Sequence, residues 1–139
     1  TFDFSELTDE IISKYENANI ERRISKKIFF NGRKNLITRC INNLLDNSIK
    51  YAEKIIVNLE KKNSNILLSI EDNGPGVEKS EFKNITKPFY KIDKSRSDSK
   101  SSVGLGLSIS SDIVRSHGGD IKFDKSKLGG LEVTISLPY

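Results

Sequence analysis

Residues 40–52, Cys40-Ile41-Asn42-Asn43-Leu44-Leu45-Asp46-Asn47-Ser48-Ile49-Lys50-Tyr51-Ala52, read as a helix with an unusual choice of polar residues. Ile37, Ile41, Leu44 and Leu45, with Ser48, recur at helical spacing and mark one buried stripe. At about 100° per residue, Asn43, Asn47 and Lys50 fall together on an arc beside that stripe and form one polar row. Asn is a weak helix former. Three of them between positions 42 and 47 lower stability unless their amides do something the helix needs. Two carboxamides and an ammonium at the edge of an apolar face suit a phosphate and metal site. A solvated helix face accounts for the same residues.

Working outward, 139 residues with 35% hydrophobic content fit one globular domain with one core. The net charge is +4, but cationic and anionic residues are interleaved almost throughout. The densest cationic run, Arg22-Arg23-Ile24-Ser25-Lys26-Lys27, suits the exposed face of two short strands better than a nucleic-acid contact. Cys40 is the one cysteine and His117 the one histidine. They permit no internal disulfide and no Cys/His metal cage, and a reducing compartment is the natural setting. No apolar run approaches the roughly 18 residues of a membrane span, and the acidic N-terminus lacks a signal peptide's charge pattern. A soluble chain without direct membrane contact is expected.

Toward the N-terminus, the pattern predicts a helix starting at Phe4-Ser5, with Ser5 as cap and Phe4 as staple, and ending near Asn17-Ala18-Asn19. Ile20 to Ile24 and Lys27 to Phe30 are short extended candidates, and Asn31-Gly32 is the turn that launches the Asn-bearing helix. Beyond that helix, Lys54 to Glu60 and Ile66 to Glu71 read as a β-hairpin, followed by a short helical piece over Glu78 to Asn84. Lys91 to Ser102 has no periodicity and reads as a flexible loop. Leu105 to Ser116 is helix-periodic and stops at Gly118-Gly119. Asp120 to Asp124 and Leu131 to Leu137 close the chain as strands around Gly129-Gly130.

Two glycine segments add chemistry. Asp72-Asn73-Gly74-Pro75-Gly76 directly follows a predicted strand, so the sheet would hold the Asp72 carboxylate while the backbone beyond it turns sharply. Such a segment is an ordinary surface turn, or a place where Asp72 accepts from an exocyclic amine like that of adenine while Gly74 and Gly76 let a flat base lie on bare backbone. Gly104-Leu105-Gly106-Leu107 stands where loop meets helix, and glycine-cleared amides at a helix N-terminus form an anion site. It is not a Walker loop, since no Gly-Lys-Ser/Thr follows, and it lacks the third glycine and preceding strand of a dinucleotide fingerprint.

Taken in order, an Asn-x-x-x-Asn helix, a D-x-G-x-G turn, a Lys-Pro-Phe-Tyr segment and a G-x-G helix start resemble the ATP-binding catalytic domain of bacterial sensor histidine kinases. These belong to the GHKL superfamily, and the chain looks most like the osmosensor (EnvZ) type. The resemblance spans essentially the whole chain. It makes NNLLDNSIKYA the N box, DNGPG the G1 box, KPFYK the F box and VGLGL the G2 box. It implies one catalytic domain over 1–139 with a lid over about 87–103, built as a two-layer α/β sandwich (the Bergerat fold) in which helices pack on one face of a mixed sheet.

By the same resemblance, Asn47 would coordinate Mg²⁺ and Asn43 would order phosphates or the metal's water, while Lys50 would neutralise phosphate charge and Tyr51 would pack near ribose or base. Asp72 would read adenine. Phe89, Lys91 and Arg96 would belong to the lid, Phe89 as an apolar latch and the two cations near the terminal phosphate. Backbone amides around Val103, Gly104, Leu105, Gly106 and Leu107 would hold the β and γ phosphates of ATP. The family commonly has a further glycine and a hydroxyl residue before this pair, where this chain has Ser102-Val103, a departure that bears on lid mobility and phosphate geometry.

His117 sits at a helix C-terminus, where an imidazole meets the dipole favourably, and it does not match the family's acceptor histidine. The resemblance therefore implies a fragment of a cytoplasmic catalytic unit whose parent is anchored in the bacterial inner membrane. Its partners would be its own homodimeric dimerisation and phosphoacceptor domain and a response regulator, with no nucleic acid. Fold-sharing ATPases and anti-sigma serine kinases usually carry an acid where Asn43 stands. A regulatory module that only binds ATP is the remaining alternative.

Overall fold

The computed structural model describes residues 1–87 and 101–139, with side chains from residue 106 onward in the second stretch. The elements run β1 (Phe2–Asp3), α1 (Phe4–Ser13), β2 (Asn19–Ile24), β3 (Phe29–Phe30), α2 (Lys34–Tyr51), β4 (Lys54–Lys62), β5 (Asn65–Asp72), a 3-10 turn (Lys79–Glu81), α3 (Ser101–Ser116), β6 (Asp120–Lys125) and β7 (Leu131–Pro138). Five strands form one mixed sheet in the order β2-β4-β5-β7-β6. Only the β2–β4 pair is parallel. Helices cover one face of this sheet, as the two-layer α/β sandwich requires.

Alternation decides which face is covered. Along β5, Ile66, Leu68, Ile70 and Asp72 are buried while the residues between them are half-buried. On β7 the buried set is Leu131, Val133, Ile135 and Leu137. This period of two aims one side of each strand at the helices. The helices answer with apolar stripes: Phe4, Leu7, Ile11 and Ile12 on α1, and Ile37, Cys40, Ile41, Leu44, Leu45 and Ser48 on α2. Burial also makes the Cys40 thiol hard to ionise, its pKa pushed up to about 11, so it packs as a small apolar group.

Several boundaries differ from the pattern-based reading, each for a local reason. Asp3, not Ser5, caps α1, its carboxylate accepting from the Glu6 N–H at 3.0 Å. Ser5 is buried, and its hydroxyl donates to the Ser25 carbonyl while accepting from the Ile28 N–H at 3.1 Å. The helix ends at Ser13, short of Asn17, because the chain turns there and carries the Tyr15 hydroxyl to Asn42 and Asp46 on α2. Lys27 has φ 58°, which breaks the extended run and leaves only Phe29–Phe30 as strand, paired with Phe2–Asp3 outside the main sheet.

Further along, the β4–β5 hairpin is tighter than the polar run 61–65 suggests. Both strands extend until only Asn63 and Ser64 remain, with φ 51° and 68°, the two-residue turn whose twist matches the strands. The helical piece at 78–84 shortens to the 3-10 turn Lys79–Glu81 followed by turns. The loop read over 91–102 lies mostly outside the described residues, and α3 begins at Ser101 rather than Leu105. The cationic run 22–27 is largely an exposed strand edge with its own counterions. Arg22 meets Asp9 at 3.4 Å and Arg23 meets Glu21 at 2.6 Å.

The uncovered face of the sheet carries a row of acids set by strand register, in which Glu71 pairs with Glu132 and Glu132 with Asp124. Partial burial, then repulsion from Glu71 and Asp124 and a hydrogen bond with Glu71, hold the Glu132 carboxyl above its ordinary value, and Lys127 opposes this weakly. A carboxyl with a raised folded pKa keeps its proton longer in the folded state, so the stability it adds is present at low pH and is lost as pH rises through the folded value. Glu132→Gln should therefore be more stable than the wild type at pH 7, and that advantage should shrink toward pH 5. Urea titrations of both proteins at the two pH values measure the difference, and a constant gap would contradict it.

Candidate nucleotide site

The site grows from the polar row on α2. Asn43 and Asn47 are half-buried and Lys50 is exposed, one helical turn apart from one another along the edge of the buried stripe. Asn43 Nδ2 and Asn47 Oδ1 are fully buried atoms with no hydrogen-bond partner among the described residues. Each such atom costs about 1–3 kcal/mol if nothing ever meets it. These two atoms are buried, so the row is not a wholly solvated helix face. Lys50 lies in the last turn of α2, where its charge also suits the helix dipole.

The second wall is the turn after β5. Asp72 is 6% exposed. Its Oδ1 accepts from the Gly74 N–H at 3.0 Å and from the Leu131 N–H at 3.2 Å. Its backbone carbonyl accepts from the Gly130 N–H at 3.0 Å. Both of these side-chain bonds fall on Oδ1. Gly74 is pressed against the end of α2, and a Cβ there would stand 2.9 Å from the Tyr51 carbonyl oxygen and 3.2 Å from Asp72 Oδ1. Gly76 adopts φ 73°, the left-handed conformation the turn requires. Thus Asp72, Gly74 and Tyr51 are brought together at the C-terminal end of α2.

Three residues here escaped the sequence reading. Gly130 and Leu131 enter through the β5–β7 pairing, and Ser126, in the β6–β7 turn, fastens that turn to β5 by donating to Glu71 Oε1 at 2.7 Å. A Cβ on Gly130 would overlap Asp72 Oδ1 and stand 2.7 Å from the Gly74 nitrogen. The Gly129-Gly130 dipeptide was the available signal, since adjacent glycines mark turns or close backbone approach.

The third wall is α3. Because it starts at Ser101, Gly104 lies in its first turn and Gly106 two residues further in, past the first four N–H groups that a helix leaves unpaired. Gly106 faces Asn43, with a Cβ there at an ordinary 3.8 Å from Asn43 Cβ. Leu107 is buried in the core. Val103, Gly104 and Leu105 lie on the helical backbone, and Phe89, Lys91 and Arg96 lie outside the described residues. His117 is structural. Its Nε2 accepts from the Arg33 N–H at 3.1 Å, which leaves Nδ1 protonated to donate to the Ile113 carbonyl at 2.8 Å, tying the end of α3 to the start of α2.

Among the described residues, no group of three His, Cys, Asp or Glu side chains could hold a metal ion, and no helix is long and apolar enough to cross a membrane. One donor is nevertheless of the type a hard cation takes. Asn47 offers a buried, unpartnered amide oxygen, the hard ligand that Mg²⁺ accepts when substrate phosphates and waters complete its shell.

Comparison with known proteins identifies relatives of the chain. The chain is 36% identical over 102 residues to the sensor histidine kinase GtrS of Pseudomonas aeruginosa, covering 73% of this chain and 21% of GtrS. It is 33% identical over 108 residues to the sensor histidine kinase CpxA of Escherichia coli, covering 77% and 24%. The chain thus spans about a fifth to a quarter of the length of these relatives. The mycobacterial sensor histidine kinase MprB superposes with a TM-score of 0.86 at 26% identity, over 99% of this chain and 96% of that one. The catalytic domain of histidine kinase ThkA shares the fold, with a TM-score of 0.83 at 23% identity over 99% and 93%. Residues 32–139 match the family described as histidine kinase-, DNA gyrase B- and HSP90-like ATPase, and the chain belongs to that family.

Proposed function

We propose that this chain binds Mg·ATP and donates its γ-phosphoryl group to a histidine on a separate dimerisation domain, as the catalytic part of a two-component sensor histidine kinase. The carrying observation is the pair of buried, unpartnered amide atoms, Asn43 Nδ2 and Asn47 Oδ1, on one row of α2. Family membership and the likeness to sensor kinases support the class.

In this reading Asp72 accepts from the adenine amine through Oδ2, its other oxygen pinned by two backbone amides. Tyr51 lies against ribose or base. Asn43 donates to a phosphate oxygen or a metal-bound water, and Lys50 offsets phosphate charge. Asn47 would hold Mg²⁺, which when bound would supply positive charge to offset that of the phosphates. Phe89, Lys91 and Arg96 act from the lid, and the first-turn amides of Val103 and Gly104 receive the β and γ phosphates, whereas Leu105, Gly106 and Leu107 stand past the four amides that the helix leaves free. An amide at Asn43 aims no strong base at water, so transfer rather than hydrolysis is the chemistry served. We further propose that the catalytic unit is cytoplasmic, in a membrane-anchored homodimeric parent of the osmosensor (EnvZ) type that works with a response regulator.

The metal role is testable. Asn47→Asp adds a charge beside the triphosphate without removing an oxygen, so ATP affinity and its Mg²⁺ dependence should change together, by about tenfold in apparent affinity at low Mg²⁺. ATP titrations at several Mg²⁺ concentrations decide this. An unchanged Mg²⁺ dependence would remove Asn47 from direct contact with the ion.

A further inference from the structure

We infer that Asn73, which the reading above leaves without a role, is a positioning residue that fixes the distance between the base-reading carboxylate and the phosphate row. The inference rests on the proposed nucleotide site. The Asn73 side chain is exposed, yet its Oδ1 accepts from the Glu53 N–H and the Lys54 N–H, both at 2.9 Å. Its own N–H donates to the Lys54 carbonyl at 3.1 Å. These bonds grip the segment that joins α2 to β4. That segment begins at Ala52, whose N–H still bonds to the Ser48 carbonyl at 2.9 Å as α2 ends.

Asn73 therefore stands between two neighbours with fixed contacts. Asp72 on one side meets the ligand, and Gly74 on the other abuts the Tyr51 carbonyl. The clasp joins the turn that carries Asp72 to the end of the helix that carries Asn43, Asn47 and Lys50. A ligand held at both ends by rigid walls gains from the walls' correct separation, and loses when they slip, even if each wall keeps its own chemistry. A ligand that touches one wall only is indifferent to the separation. An Asp at 73 keeps an acceptor oxygen at the same reach, so it should preserve the clasp.

The experiment measures wild type, Asn73→Ala and Asn73→Asp against three probes: Mg·ATP, Mg·tripolyphosphate and adenosine, with a thermal melt of each variant. Water can reach the two amides exposed by Asn73→Ala, so that variant should fold. It should bind Mg·ATP about tenfold more weakly while the two half-ligands change by less than about twofold, and Asn73→Asp should restore ATP binding to within about twofold. The inference is overturned if Asn73→Ala binds ATP like the wild type, if all three probes weaken in proportion, or if Asn73→Asp is as weak as Asn73→Ala. A wild type that binds none of the probes overturns the nucleotide reading itself, and this inference with it.

Discussion

Asp72→Asn should lower ATP affinity by about 3 kcal/mol, on the order of a hundredfold, while leaving the fold intact. The carboxamide is nearly isosteric, and its oxygen can still accept from the Gly74 and Leu131 amides that now hold Oδ1. Its nitrogen then occupies the place of Oδ2 and presents a donor to the donating amine of adenine. Guanine offers an acceptor at that position, so the variant should lose discrimination against GTP as it loses ATP. Calorimetry with both nucleotides reads this. Equal binding of ATP and GTP by the wild type would remove Asp72 from base recognition.

Gly130→Ala should be the most damaging glycine-to-alanine change among the described residues. The requirement is one of space: a Cβ there would overlap Asp72 Oδ1 and crowd the Gly74 nitrogen, so the hairpin must lift away or Asp72 must rotate. We expect a loss of about 3 kcal/mol in stability, the scale of an overpacked core site, together with the loss of ATP binding. The neighbouring Gly129→Ala is the control. Gly129 has φ 107° but nothing within 4 Å of a built Cβ, so backbone strain alone should cost about 1 kcal/mol and leave ATP affinity unchanged. Denaturant midpoints and ATP titrations on both variants separate the two effects. Equal behaviour of the two would contradict the packing of Gly130 on Asp72.

The α2 row was legible in the sequence because helical period and residue chemistry disagree there: the spacing demands a helix, and the asparagines have no reason to be in one. The end of β5 was legible for a similar reason, a carboxylate at a buried strand position followed by turn glycines. What could not be read were contacts made across the sheet. Nothing local announces that Leu131 donates to Asp72, because the strand order places β7 beside β5 only after β6 has been laid outside it. Nor does periodicity distinguish Ser5 as a cap from Ser5 as a buried bridge to Ser25 and Ile28. The helix start at Ser101 is not legible because its first residues carry no apolar period, which begins only at Leu105.

The central claim is that this site positions ATP for transfer to an imidazole supplied by another segment, and γ-labelled ATP tests it most directly. The chain is incubated alone and with a dimeric helical-hairpin fragment that carries the parent's acceptor histidine, and the labelled products are treated with acid and alkali. Alone, the chain should bind ATP, release phosphate no faster than background and leave His117 unlabelled. With the fragment, label should appear on the fragment in a bond that acid destroys and alkali spares, because positioning and charge neutralisation are what the site supplies. Rapid multiple-turnover phosphate release by the chain alone, an acid-stable phosphoserine on an added protein, or ATP binding with no transfer to the fragment would each contradict it.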